Sequence, residues 1–408
     1  MTRGTVATLA GATQDEVRRH NLGNLLRLLH VRGSMSRSDL TALTGLNRST
    51  VGGLTTELAE AGLIRETTPV GRGVGRPSIV AEPDPGHAYV IAVDIGVDRI
   101  VVARVGLGGH VLDRRGVRQP RGAYEATRMI GELGRLVRAV LAGAAPGSVC
   151  VGVGVGVCGV VRHSDGRVRF APNLGWVDVP LGELVAGLVP CGLPVLVANE
   201  ADLGARAEHT RGAARGARSV VYLSGEVGVG GGILLEGGPL TGAGGYAGEV
   251  GHMVVNPRGR ACRCGSTGCW ETEIGEEALL IGSGLAESDP AAGIADVLAA
   301  VEAGDPRATK AVSEAGRWLG IGIANLVNLL NPEVVVLGGL LRELYPVAEP
   351  QVRAAMAQAL QAPREQVRLV LPLLGGDSIL LGAAELAFGP LLDDPLGALA
   401  RGAALVPA

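Results

Sequence analysis

The segment GHMVVNPRGRACRCGSTGCWE, at residues 251 to 271, concentrates side chains that bind metal ions. It contains one histidine and three of the six cysteines of the chain: His252, Cys262, Cys264 and Cys269. Three thiolates and one imidazole are typical ligands of tetrahedral zinc, and four protein ligands leave no position for a reacting water. The spacing therefore predicts a closed, structural Zn²⁺ site. The alternative is a reduced cysteine-rich loop that binds no metal.

The chain that positions this loop has 408 residues, enough for two or three domains. Hydrophobic residues make up 47% of it, yet no run approaches the roughly 18 apolar residues that a membrane span needs. The N-terminus lacks the pattern of a signal peptide. We therefore expect a cytoplasmic protein without a membrane partner, in which clustered cysteines bind metal. The other cysteines lie in apolar sequence and are predicted to be core residues: Cys150, Cys158 and Cys191.

Charge is unevenly distributed along the chain. Residues 1 to 80 contain ten Arg and six acidic residues, which leaves 27 basic and 34 acidic residues for the remainder. The first part therefore has a net charge of +4 and the rest has −7. A basic head on an acidic body indicates an anionic partner for the head, and nucleic acid is the usual one.

Residues 15 to 82 have the pattern of a winged helix-turn-helix domain. Leucines at three- and four-residue spacing predict a first helix over 15–31. Capping residues and terminal glycines predict a short second helix over 36–45 and a third helix after Asn47. Two helices joined by a tight turn form a helix-turn-helix. The next segment, LIRETTPVGRGVGRPSIVAEP, has two β-prone stretches around a tip rich in Gly and Arg, as in a β wing.

The first turn of the third helix is predicted to enter the major groove of double-stranded DNA. Arg48 suits a bidentate bond to guanine, and the hydroxyls of Ser49 and Thr50 suit phosphate or base contacts. Arg72 and Arg76, at the wing tip, are predicted to enter the adjacent minor groove. The alternative is a helical dimerisation module whose arginines face solvent.

After a linker at residues 83–88, strands and helices alternate. Apolar stretches such as YVIAVDIG, CVGVGVGV and EVVVLGG are strand-like, and helices are predicted over 122–143 and 307–330. This alternation predicts an α/β body with two lobes and a cleft between them. We assign residues 89–198 to a first lobe, 199–375 to a second lobe that contains the zinc loop, and 376–408 to a C-terminal helical segment.

Several motifs resemble the ROK family, whose members are sugar kinases and sugar-responsive transcription factors with an actin-like ATPase fold. The segment GYAGEVGHMVVNPRGRACRCGSTGCWE resembles the family signature. Further matches are VDIG at 93–96, APNLGW at 171–176, VANEADLGARAE at 197–208, GEVGVGGGI at 225–233 and NPEVVVLGG at 331–339. The winged helix resembles the head of the regulator branch, so the likeness extends over nearly the whole chain.

The resemblance implies a sugar pocket beside the zinc loop. The residues implied to line it are Asn173, Asn199, Glu200, Glu249, His252 and Glu271. Carboxylates and amides suit the fixed hydrogen bonds of sugar hydroxyls, and an imidazole that ligates zinc keeps one ring nitrogen free to donate. Without the resemblance, Glu249 and Glu271 are interpreted as surface carboxylates or as support for the metal ligands. Trp176 either stacks on a sugar face or belongs to the core.

The sequence departs from the ROK kinases at residues that serve phosphoryl transfer. Glu200 stands where the kinases carry the Asp base, and its extra methylene displaces the carboxylate by roughly an ångström. Val97 and Asp98 replace Gly and Thr of the first phosphate loop, and Glu226 replaces Thr of the second. Added carboxylates repel ATP. These substitutions predict a ligand sensor without kinase activity.

The combined features predict a sugar-responsive transcriptional regulator, more specifically a repressor. Its expected partners are a palindromic DNA operator and a sugar effector, and the family implies a homodimer or homotetramer. The sugar would act through its differential affinity for two conformations. One alternative is a ROK-type kinase that transfers phosphate from ATP to a hexose with Glu200 as base. Another is a head that contacts protein instead of DNA.

Overall fold

The computed structural model describes residues 13–68, 78–119, 125–288 and 292–405. A small N-terminal head precedes a larger α/β body. The elements of the head are α1 (Gln14–Arg32), β1 (Met35–Ser36), α2 (Arg37–Thr44), α3 (Arg48–Glu60), β2 (Ile64–Thr67) and β3 (Val80–Pro83). Its strands form a sheet in the order β1-β3-β2, and β2 and β3 pair in antiparallel fashion.

Local capping explains where the head helices begin. Thr13 and Ser36 form capping boxes at the starts of α1 and α2, and the Asn47 side chain accepts a hydrogen bond from the Thr50 amide at 2.8 Å. The predicted leucine stripe of α1 is buried: Leu22, Leu25, Leu26 and Leu29. The head is the predicted winged helix-turn-helix. The wing tip with Arg72 and Arg76 lies outside the described residues.

The first lobe is built on a five-stranded sheet in the order β11-β7-β4-β5-β6. Its elements are β4 (Ala88–Ile95), β5 (Arg99–Gly106), β6 (His110–Arg118), α4 (Ala126–Ala142), β7 (Val149–Val157), β8 (Val160–Arg162), β9 (Arg167–Ala171), β10 (Trp176–Val179), α5 (Leu181–Ala186) and β11 (Val195–Asn199). Strands β4, β7 and β11 are parallel, and Ile95, Val157 and Asn199 are in register at their carboxyl ends. The loops that follow these residues therefore meet at one edge.

The second lobe is built on a sheet in the order β14-β13-β12-β15-β16. Parallel pairing of β12 with β15 brings Gly225 beside Gly339 at the carboxyl ends. The elements are α6 (Glu200–Arg211), β12 (Val220–Gly225), β13 (Val229–Leu235), β14 (Gly238–Pro239), α7 (Trp270–Ile274), α8 (Glu276–Ser283), α9 (Leu285–Ser288), α10 (Ile294–Glu302), α11 (Pro306–Leu330), β15 (Val334–Gly339), α12 (Leu341–Met356), α13 (Gln361–Gln366) and β16 (Arg368–Val370).

The C-terminal helices α14 (Ser378–Asp393) and α15 (Pro395–Ala403) join the body to the head. Phe388 and Leu391 of α14 share one hydrophobic core with Leu25 and Leu29 of α1. Strand β7 contacts α14 closely: a Cβ on Gly154 would lie 1.9 Å from the Ala383 carbonyl oxygen of α14, so only glycine allows this approach. The C-terminal segment is thus helical, and it packs between the first sheet and the head.

Two sequence interpretations are resolved by burial. Cys150 and Cys158 are buried as expected, but Cys191 is exposed, so the core prediction for Cys191 was wrong. Cys191 follows Pro190 in the turn between α5 and β11, where apolar neighbours do not imply burial. Trp176 is buried in the core of the first lobe, so of the two interpretations it is a core residue. Within the described parts of the chain, no helix has the length and apolarity to cross a membrane.

Two helical glycines generate opposite predictions. A Cβ on Gly23 of α1 would lie 2.4 Å from the carbonyl oxygen of Leu392, whereas a Cβ on Gly53 of α3 meets no described atom within 4 Å. We expect Gly23→Ala to destabilise the protein by about 1–3 kcal/mol through overpacking. Gly53→Ala should stabilise it by about 0.5–1 kcal/mol, since Ala is the better helix former. Calorimetric unfolding measures both variants. Equal effects would contradict close packing of α1 on α14.

Candidate functional site

The four predicted metal ligands converge. The ligand atoms of His252, Cys262, Cys264 and Cys269 all lie within 4.8 Å of one another. The sulfurs of Cys264 and Cys269 are 3.6 Å apart, and the Cys262 sulfur is 3.7 Å from His252 Nδ1. Zinc–sulfur bonds of about 2.3 Å place tetrahedral ligand atoms about 3.8 Å apart. The cluster therefore fits a tetrahedral metal ion.

The loop that carries these ligands is anchored by its backbone. Gly268 has a φ of +75°, and a Cβ there would lie 1.6 Å from the Asn256 carbonyl oxygen, so only glycine fits. Cys269 directly precedes α7, whose Trp270 is fully buried. The Trp270 Nε1 donates to the Trp318 carbonyl oxygen at 2.9 Å. The ligand loop is thereby fixed to the core of the second lobe.

One cavity of about 580 Å³ is lined by all of the residues predicted to bind sugar: Asn173, Asn199, Glu200, Glu249, His252 and Glu271. Asn173 follows β9 and Asn199 ends β11, whereas Glu249, His252 and Glu271 come from the second lobe and its metal loop. Residues distant in sequence meet because the carboxyl edges of the two sheets face this cavity. With Nδ1 of His252 directed at the cysteines, Nε2 remains for the cavity.

Asn199 and Glu200 form the start of α6 at the cavity. Asn199 Oδ1 accepts a hydrogen bond from the Ala201 amide at 2.7 Å, and its Nδ2 donates to the Gly159 carbonyl at 2.9 Å. Glu200 is only 7% exposed, and its Oε2 has no hydrogen-bond partner among the described residues. Such a buried oxygen is costly unless something pairs with it. Burial raises the pKa of Glu200 well above its ordinary value, and the charge of Glu226 raises it further.

The two remaining carboxylates connect the cavity with the metal cluster. Glu271 Oε1 accepts a hydrogen bond from the Cys262 thiol at 2.9 Å and lies 3.5 Å from His252 Nδ1. Burial raises the pKa of Glu249, while His252 lowers it and Glu271 raises it. Glu271 thus contacts the metal ligands and also lines the cavity. Its position is compatible both with support of the metal ligands and with the implied place in the pocket.

Arg99 is a site residue that sequence reasoning missed. Its Nη2 lies 3.3 Å from Asp94 Oδ2 and 3.3 Å from Glu226 Oε1. Asp94 and Arg99 belong to the first lobe and Glu226 to the second, so this ion pair bridges the cleft. The sequence interpretation counted Asp98 and Glu226 as added negative charge and missed the cation between them. Glu226 is 127 residues away, and local sequence carries no signal for such a pair.

A second missed residue is Arg263, which lies between two metal ligands in the sequence. Its Nη1 donates to Asn173 Oδ1 at 2.7 Å, from the metal loop to the first lobe. Arg263 lines a second pocket together with Asn173 and Glu271, and these last two residues also line the cavity.

A larger cleft of about 1010 Å³ adjoins the cavity. Val97 and Glu226 line both spaces, and Asp98, Arg99 and Arg342 line only the larger one. This is the carboxyl edge of both sheets, where α/β proteins bind ligands. Of the four positions that distinguish this chain from the kinases, Val97, Asp98 and Glu226 therefore face the larger cleft, whereas Glu200 faces the adjoining cavity.

The predicted DNA-reading residues lie in the first turn of α3. Arg48 and Ser49 are exposed and Thr50 is half-buried. The Ser49 hydroxyl donates to Asn47 Oδ1 at 2.7 Å, so the capping residue also orients Ser49. No position for Arg72 or Arg76 is assigned, because both belong to the segment between residues 68 and 78 that the structure does not describe.

Comparison with known proteins identifies the class of protein. The ROK family profile matches residues 90–389, and the chain belongs to the ROK family. The xylose repressor of Bacillus subtilis is 27% identical over 390 residues, which cover 94% of this chain and 98% of that protein. The crystal structure of a ROK family transcriptional regulator, a homologue of the E. coli MLC protein, has a TM-score of 0.78 at 27% identity and covers 96% of this chain and 100% of its own.

A kinase is also similar, but over less of the chain. The ROK glucokinase from Streptomyces griseus, in complex with glucose and AMPPNP, is 31% identical with a TM-score of 0.62. It covers 73% of this chain and 99% of its own. The similarity to the two regulators therefore extends over nearly the whole chain, head and body together. The similarity to this kinase covers only about as many residues as the body contains.

We expect the purified protein to contain about one divalent metal ion per chain. Cys264→Ser removes one thiolate and should lower the metal affinity at least about tenfold. Cys191→Ser, which changes an exposed cysteine outside the cluster, should leave the metal content unchanged and is the matched control. Mass spectrometry of the metal content measures all three proteins. Equal contents in wild type and Cys264→Ser would contradict the assignment.

Proposed function

We propose that the protein is a cytoplasmic, sugar-responsive transcriptional repressor. Residues 15–82 would read DNA, and the lobes at 89–198 and 199–375 would enclose the sugar. The observation that carries this proposal is a cavity that collects every predicted sugar ligand, including a buried Glu200 oxygen without a partner in the described structure. A sugar hydroxyl is a fitting donor for that oxygen. The similarity to a xylose repressor makes D-xylose the first effector to test.

The proposed metal is zinc with a structural role. Three thiolates and one imidazole favour Zn²⁺, and a complete set of four ligands leaves no open coordination position. The ion would hold the loop and orient His252, whose other ring nitrogen then faces the cavity. Glu271, next to Cys262, would present its carboxylate to the sugar from the same support.

The proposal that the protein lacks kinase activity is supported by the charges in the cleft. Asp94, Asp98 and Glu226 surround Arg99, and this local excess of carboxylates opposes the binding of a polyphosphate. Glu200 also has one methylene more than the Asp base of the kinases, which displaces its carboxylate by roughly an ångström.

Operator binding requires two heads for a palindromic site. A homodimer or homotetramer would place two copies of α3 in major grooves whose centres lie one helical turn or a multiple apart. Sugar would then favour a conformation in which the spacing of the heads no longer fits the operator.

The test of DNA reading is a gel shift with a duplex that the protein selects from random sequences. We expect D-xylose to release the duplex. Arg48→Ala should weaken binding about tenfold or more, since a bidentate contact to guanine is worth about 1–3 kcal/mol. Arg135→Ala, which removes an exposed arginine of the body that pairs with Glu132, is the control and should bind as wild type does.

Undiminished binding by Arg48→Ala would remove this residue from the interface. Retention of the duplex at saturating concentrations of every sugar in a pentose and hexose panel would contradict the proposed sensor.

The kinase alternative is tested by a coupled assay with ATP, Mg²⁺ and the same sugar panel. We expect no turnover in the range of about 1–100 s⁻¹ that is typical of kinases. The Streptomyces griseus glucokinase serves as the positive control with glucose. Sugar-dependent turnover in that range would contradict the proposed sensor and support the alternative of a kinase with a regulatory head.

A further inference from the structure

Helix α6 connects the sugar cavity with the head. Its first residue, Glu200, lines the cavity, and its last residue, Arg211, contacts the head helix α1. At about 1.5 Å per residue the two residues are separated by about 17 Å along the helix. One continuous helix thus reaches from the proposed effector site to the proposed DNA-reading domain.

Arg211 joins three elements at the junction of head and body. Its Nη1 donates to the carbonyl oxygens of His30 at 3.1 Å and Gly108 at 2.8 Å, and its Nε donates to Glu385 Oε1 at 2.6 Å. His30 Nδ1 accepts a hydrogen bond from the Gly108 amide at 3.0 Å, and its Nε2 lies 3.1 Å from Glu385 Oε1 and 2.6 Å from Arg211 Nη2. We call Arg211, His30 and Glu385 the junction triad.

The junction triad is almost completely removed from solvent. The side chain of His30 is 0% exposed, that of Glu385 6% and that of Arg211 13%. Apolar residues of similar volume often stabilise an interface as well as buried ions do. A buried ionic set with many directional bonds, in contrast, favours the relative arrangement of the elements in which those bonds are made. Its geometry is therefore suited to define the orientation of α1 on the body.

Helix α6 is packed too closely to absorb a displacement at its cavity end. A Cβ on Gly232 would lie 2.1 Å from the Ala201 carbonyl oxygen, and a Cβ on Gly382 would lie 2.0 Å from that of Leu203. Strand β13 and helix α14 therefore touch the α6 backbone directly. In the last turn, buried Glu208 accepts hydrogen bonds at 2.7 to 3.0 Å from Ala213, Leu373, Leu374 and Ser378.

The head packs against α14, which in turn packs against α6. Gly23 of α1 lies against the Leu392 carbonyl at the end of α14, and Arg27 of α1 forms an ion pair of 2.7 Å with Asp393. A small movement of α6 and α14 therefore changes the surface on which α1 rests. Close-packed interfaces respond to such movements by adopting a second arrangement instead of deforming continuously.

We propose that α6 transmits occupancy of the sugar cavity to the head, and that the junction triad is the contact through which it does so. This inference rests on the proposed function. A sugar that bonds Glu200 and touches Asn199 acts on the first turn of α6. The resulting shift reaches Arg211, which loses or remakes its bonds to His30, and α1 changes its orientation together with α3. Arg211, His30 and Glu385 are positioning residues that touch neither ligand.

The test measures DNA affinity with and without saturating D-xylose, and D-xylose affinity by calorimetry. In wild type we expect the sugar to weaken DNA binding about 5- to 150-fold. Arg211→Lys keeps the charge but loses the forked contacts, so this ratio should fall below about threefold while D-xylose still binds. Arg27→Lys alters an exposed ion pair of the same interface, with side chains 49% and 75% exposed, and should retain the wild-type ratio.

The outcomes separate the inference from the proposed function. If Arg211→Lys weakens DNA binding equally with and without sugar, the junction triad is only a structural joint and the inference is overturned. If wild type binds no sugar or no duplex, the proposed function fails and the inference fails with it.

A measurement on wild type alone covers the case in which the variant does not fold. Hydrogen exchange should change on addition of D-xylose in α1 around His30 and in the last turn of α6, but not in α4. Bound sugar with unchanged exchange in α1 would also overturn the inference.

Discussion

The Asn199 cap is the interaction on which the rest of the structure depends. Its oxygen accepts from the Ala201 amide and its nitrogen donates to Gly159, so one side chain ends β11, starts α6 and fixes the neighbouring loop. This cap sets where Glu200 enters the cavity. It also sets the direction of α6, and hence the place where Arg211 meets the head. The position of Glu200 in the cavity and the contact of Arg211 with the head therefore both depend on where α6 begins.

The second constraint is electrostatic. Carboxylates from both lobes meet at the cleft, and their mutual repulsion is relieved by Arg99 and by the raised pKa values of Asp94, Glu200 and Glu226. Burial is the main cause of each of these increases. Such an environment accepts a neutral ligand with many hydroxyl groups more readily than a polyphosphate. Under the proposed function, the residues that replace those of the kinases therefore suit a sensor of a neutral sugar.

Local patterns in the sequence were sufficient for much of this structure. The helices of the head, their caps at Ser36 and Asn47, and the ligand set of the metal loop each depend on residues within about twenty positions of one another, where sequence spacing approximates distance. Family motifs identified the six residues around the cavity. Local reasoning failed for Cys191, which lies in an apolar segment but in an exposed turn, and it left Trp176 undecided, because burial depends on what packs against a segment.

The sequence by itself therefore determined the class of protein, and it predicted a helical head before an α/β body, the His/Cys cluster and the six residues that line one cavity. Only the tertiary structure decided that Arg99 pairs with Asp94 and Glu226, that Arg263 reaches Asn173, and that Arg211 joins His30 to Glu385. The physical reason is that the contacts of Arg99 with Glu226, of Arg263 with Asn173 and of Arg211 with His30 and Glu385 link residues 90 to 181 positions apart, whereas only the bond of Arg99 to Asp94 is local. Their partners are selected by the packing of two sheets and α14 against the head, which no local pattern of residues encodes.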